Sequence, residues 1–144
     1  MDSDRAAFLA GDRVEDVLLY FAADAVSDAD ALAARGERVD GGVVLVIDGE
    51  RGRSAFGRAV GVDPMAFARR GMDTEGEVAP DCTGGRCPAA DEADGDHAVR
   101  FIFAFAEAKN EEAGGLYAEG DVIHAYAQCA CGEAYSDKWL AGQR

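Results

Sequence analysis

Five consecutive apolar residues, Val43-Val44-Leu45-Val46-Ile47, stand between an Asp40-Gly41-Gly42 turn and Asp48-Gly49. A run this short, rich in β-branched side chains and bounded by turn residues, reads as a strand with no solvent face, so it belongs inside a sheet covered on both sides. It leads directly into Glu50-Arg51-Gly52-Arg53-Ser54, and Ala55 to Val60 reads as a short helix beyond that loop. Asp63-Pro64 opens another helix, with Asp as the cap and Pro in the first turn, closing near Gly71. The N-terminal half therefore has an α/β character.

Other segments differ in how much their pattern decides. Asp4 to Ala10 fits one or two helical turns, and Ser27 with Asp30 starts a helix that Gly36 ends after Arg35. Val17 to Phe21 is apolar throughout, so its period does not separate strand from helix. Val99, Phe101, Phe103 and Phe105 alternate with Arg100, Ile102, Ala104 and Ala106 as a strand requires. Asn110 to Gly115 turns the chain, Asp121 to Gln128 and Ala134 to Leu140 follow as strands, and Cys129-Ala130-Cys131-Gly132 connects them. Residues 73–96 carry Gly76, Pro80, Gly84, Gly85, Pro88 and Gly95 without an apolar period, which predicts a long irregular loop. The sum is an α+β chain: one globular domain over 1–144, a mixed sheet of about four to five strands with a C-terminal antiparallel meander, and short helices. It contains no internal repeat.

Charge narrows the function classes. Asp and Glu number 28 against 14 basic residues, a net charge of -14, and all but Lys109 and Lys138 of the basic residues are Arg. Such a surface repels itself in dilute buffer and is screened in molar salt. With Asp exceeding Glu and with abundant Ala, Gly and Val, the balance predicts a salt-adapted protein. The densest positive stretch, Arg51, Arg53 and Arg58, is too short for a nucleic-acid groove. No apolar run is long enough to cross a bilayer, and Met1-Asp2-Ser3-Asp4 lacks the basic start of a secretory signal, so the expectation is cytoplasmic. Four cysteines are expected there as thiols or metal ligands.

Those cysteines form two pairs, Cys82-x4-Cys87 in the long loop and Cys129-x-Cys131-Gly132 at a hairpin tip. Zinc takes about four soft ligands at tetrahedral corners, and two pairs on separate loops supply them in small domains. The first spacing lies within the usual range and the second is one residue short. His97 and His124 are substitute ligands, against the simpler reading of His124 as a sheet residue packed beside Val122 and Tyr126. Buried thiols that merely pack form one competing account of the cysteines, and a strained Cys129–Cys131 disulfide another.

A second candidate site lies at 43–60, where strand, loop and helix succeed one another. Arg51, Arg53 and Ser54 stand where backbone amides at a helix start attract anions such as phosphate. A Walker A loop is excluded, because Ile47 and Arg53 occupy the positions of its first glycine and its lysine. Asp91-Glu92-Ala93-Asp94-Gly95-Asp96 is not a calcium loop, since aligning Gly95 puts Ala90 and Phe101 at positions that need oxygen ligands. Ser3, Ser27, Ser54 and Ser136 include no nucleophile elbow. No constellation argues for an enzyme.

The segments GERVDGGVVLVIDGERGRSAF (36–56), HAVRFIFAFAEAKNEEAGGLYAEGDVIHAYAQCACG (97–132) and AYSDKW (134–139) resemble a family of small haloarchaeal proteins of unknown function. The resemblance runs from about Gly36 onward and implies no activity or catalytic residue. The expectation is a non-enzymatic module, zinc-stabilised, that presents a surface to a protein partner, with an anion-binding protein or enzyme at 43–60 and a thiol redox protein as alternatives. The sequence carries no signal of oligomeric state.

Overall fold

The computed structural model describes residues 4–13, 15–26, 29–34, 36–39, 41–79, 82, 84–88 and 98–141. In chain order these form α1 (Asp4–Leu9), β1 (Asp16–Ala22), α2 (Ala29–Ala33), β2 (Glu37–Val39), β3 (Gly42–Asp48), α3 (Gly49–Val60), α4 (Pro64–Gly71), β4 (Glu77–Val78), β5 (Gly85–Arg86), β6 (Val99–Glu107), α5 (Leu116–Glu119), β7 (Val122–Cys129) and β8 (Ala134–Leu140). The α+β expectation holds. Six strands make one sheet in the order β2-β3-β1-β6-β7-β8, and every neighbouring pair runs antiparallel. The sheet is mixed only through a parallel bridge of Glu75 with Ser136.

The undecided Val17–Phe21 segment is β1, and it holds the sheet together. It pairs with β3 on one side and β6 on the other, so the C-terminal meander reaches the Val43 strand through β1 and not directly. Its side chains alternate between two cores. Leu18, Tyr20 and Ala22 face one, Val17, Leu19 and Phe21 the other. With neighbours on both edges and cover on both faces, its apolar run needs no polar face.

Helices α3 and α4 cover the second core. Phe56 and Phe67 are nearly inaccessible there, with ring centroids 4.9 Å apart edge to face, and Phe56 reaches Phe103 at 5.4 Å. On the first face, Phe8 of α1, Val78, Cys82 and Cys87 pack with Tyr135 and Trp139. Within 73–96, Glu77–Val78 and Gly85–Arg86 pair as a two-stranded antiparallel ladder.

The expected loop at Glu50–Ser54 is helical. Asp48 caps α3, its side chain accepting from the Arg51 N–H at 3.0 Å, so the helix starts on the residue after the strand ends. The Asp63 cap of α4 forms as expected, accepting from the Met65 and Ala66 N–H groups. Ser27 and Arg35 lie outside the described residues. Among the described residues, no helix is long and apolar enough to cross a membrane.

Candidate metal centre

The β7–β8 hairpin fixes the first part of the site. The Cys129 N–H donates to the Glu133 carbonyl at 2.9 Å, the Gly132 N–H returns to the Cys129 carbonyl at 2.9 Å, and the Ala130 N–H donates to the Ala98 carbonyl at 2.9 Å. Gly132 sits at φ 99, a left-handed conformation that a β-carbon disfavours. These bonds point Cys129 into the core, where it is fully buried, and leave Cys131 exposed.

The second part comes from the short ladder. Its connection closes through the Ala79 N–H to the Gly84 carbonyl at 2.9 Å and the Cys82 N–H to the Ala79 carbonyl at 2.8 Å. Cys87 follows β5 and is buried against the hairpin tip. The ladder lies tight on β8 because Gly85 within it and Gly76 just before it carry no β-carbon. A β-carbon at Gly76 would come within 2.4 Å of the Tyr135 ring, and one at Gly85 within 2.9 Å of its hydroxyl.

Cys87, Cys129 and Cys131 thus converge, their sulfurs all within 4.8 Å of one another, close enough to hold a metal ion. The Cys87 and Cys131 sulfurs are 3.7 Å apart. That matches the edge of a tetrahedron with Zn–S near 2.3 Å, which is about 3.8 Å. Cys82 is fully buried in the same core, and its sulfur stands outside the three-membered group. It occupies a left-handed conformation, φ 57, unusual for a residue with a side chain.

Burial sets the electrostatics. It pushes the Cys129 thiol up to about 12, so without a cation this sulfur stays protonated. A bound divalent metal reverses that preference by binding the thiolate. Tyr135 is pushed up as well, first by burial and then by Cys129, Cys87 and Cys131. Its hydroxyl is buried with no hydrogen-bond partner among the described residues.

The remaining sequence candidates lie elsewhere. His97 falls outside the described residues. His124 is on β7 with Cys129, five positions away, so it projects from the opposite face of the sheet, and at about 3.4 Å per strand residue its backbone is roughly 17 Å distant. Arg51, Arg53 and Ser54 lie in the first turns of α3, all exposed. The Asp48 carboxylate already caps that helix start and pairs with the Arg51 guanidinium at 3.4 Å. Sequence reasoning missed Tyr135, whose only signal was its place one residue into the strand after the Cys-x-Cys-Gly turn.

A family model matches residues 36–142. The chain belongs to DUF5807, a family of unknown function. No curated protein and no solved structure matches it. The DUF5807 match contains all four cysteines, Tyr135 and the strands that position them, while α1 and β1 precede it.

Proposed function

We propose that this DUF5807 protein is a non-enzymatic, salt-adapted cytoplasmic interaction module in which one zinc ion ties the 73–96 segment to the β7–β8 hairpin and so presents that segment to a protein partner. The convergence of the Cys87, Cys129 and Cys131 sulfurs carries the reading. Cys82, buried in the same core, is the fourth ligand once its sulfur is drawn in. Zinc supplies a fixed tetrahedral anchor with no redox chemistry of its own. Its thiolates add to the packing of Tyr135 and Val78 and to hydrogen bonds between these parts of the chain, including the Val78 N–H to Asp137 Oδ2 at 3.1 Å.

Elemental analysis of untagged protein purified under reducing conditions tests the centre, with the result expected at about one zinc per chain. Cys129→Ser and Cys87→Ser should lose it. Zinc absent from the wild-type protein, or retained by both variants, would sink the proposal. One observation favours a second reading, a thiol redox pair: the 3.7 Å separation of the Cys87 and Cys131 sulfurs, the latter exposed. The two readings separate under mild oxidation, where a redox protein forms a Cys87–Cys131 disulfide readily and a zinc-loaded centre resists it until chelator is added.

A further inference from the structure

The helix-covered face of the sheet, opposite the cysteines, opens beside β7 and β8 into a cleft of about 530 Å³, a volume in the range of small-molecule sites. Nearly parallel rings line it and continue behind it. Tyr117 of α5 stacks on His124 with centroids 5.9 Å apart at 26°, His124 on Phe105 at 5.0 Å and 23°, and Phe105 on Tyr126 at 6.0 Å and 21°. Met72, just past α4, lines the cleft and is half exposed.

Two basic side chains stand among these rings. His124 Nε2 is buried and makes no hydrogen bond among the described residues, with Glu107 Oε1 at 3.5 Å. Lys138 is the cross-strand neighbour of His124, and its ammonium lies 5.5 Å over the Tyr117 ring. Among the described residues it forms no ion pair, whereas the other lysine, Lys109, reaches Glu111 at 3.4 Å. Asp137, adjacent in sequence, accepts instead from the backbone N–H groups of Val78 and Lys138. In a chain with twice as many acidic as basic side chains, an ammonium that lines an aromatic cleft and forms no ion pair among the described residues can take an anionic group from outside the chain.

We propose that this cleft binds a small aromatic monocarboxylate, its carboxylate on Lys138 and its ring against Tyr117, Tyr126 and Met72. Flat aromatic walls and a polarisable thioether favour a planar ring, and an ammonium gives a charge-assisted hydrogen bond to the carboxylate. Glu75 and Asp137, which also line the cleft, disfavour a second negative charge, which selects a monoanion over a phosphate or dicarboxylate. The site shares no ligand with the metal centre, so either can fail alone.

Benzoate and its neutral isostere benzamide test this on the full chain by amide chemical-shift titration. Benzoate should saturably shift the His124, Tyr126 and Lys138 amides and bind at least about tenfold tighter than benzamide. Lys138→Gln, an exposed substitution with an otherwise unchanged spectrum, should erase that difference, and Met72→Ala should weaken both ligands. The proposal is overturned if benzoate at millimolar concentration shifts none of these amides, if benzamide binds equally well, or if Lys138→Gln binds benzoate as the wild-type chain does.

Discussion

The surroundings of His124 favour its neutral form. Burial lowers its pKa from 6.5, the Lys138 ammonium lowers it further, and the Glu107 carboxylate opposes both. Because the folded chain binds this proton less readily than the unfolded one, the stability linked to His124 is fully present above pH 6.5 and is lost as pH falls through the lower, folded value. Urea unfolding at about pH 7.5 and about pH 5.5 should therefore show the wild-type chain losing more stability on acidification than His124→Phe, which keeps the ring stack. Equal losses would mean the imidazole is not held neutral. Gly76 offers a test of packing: an Ala there drives its β-carbon into the Tyr135 ring and should cost about 1–3 kcal/mol in the same measurement. Much of this was legible residue by residue. The two cysteine pairs pointed to a meeting of sulfurs from both loops, and a separation of five along one strand, which puts His124 and Cys129 on opposite faces, argues against His124 as a substitute ligand. Which three sulfurs meet, and that a tyrosine hydroxyl is enclosed beside them, depends on how β4 and β5 fold back over β8, and no local pattern encodes that.

Among the elements, the short β4–β5 ladder is the one the proposed zinc governs. Two residues per strand make too little structure to persist unaided, while β1 and β6 have partners on both edges and aromatic packing from α3. Hydrogen exchange with and without chelator should show the Val78 and Ala79 amides accelerating markedly on metal removal while those of β1 and β6 hold their rates. Uniform acceleration would make the metal a stabiliser of the whole fold. Helix α3 offers the contrary case. Gly57 lies in its interior, and a β-carbon there meets only the Val62 carbonyl at 4.0 Å, so Gly57→Ala should stabilise by about 0.5–1 kcal/mol in thermal unfolding. Element by element, the readable parts were those with a period or a cap. Alternation announced β6, and Asp63-Pro64 announced α4. The continuous apolar run of β1 had no period to decide it, the three residues of β2 are too few for one, and Asp48 looks the same in sequence whether it closes a turn or caps a helix.

For the molecule as a whole, a net charge of -14 over 144 residues predicts stability that depends on salt. The melting temperature should rise by several degrees or more between dilute buffer and molar KCl as self-repulsion is screened; a flat response would remove the basis for calling the surface salt-adapted. The outer margin of β8 bears on a different hazard. The Ser136 N–H donates to the Thr74 carbonyl, the Gly76 N–H donates to the Ser136 carbonyl, and the Lys138 N–H is taken by the Asp137 carboxylate. The donors from which a foreign strand would template itself at 136 and 138 are already engaged within the chain. Where salt screens charge and neighbours are no longer kept apart by repulsion, this margin of the sheet thus resists strand-by-strand pairing without help from electrostatics.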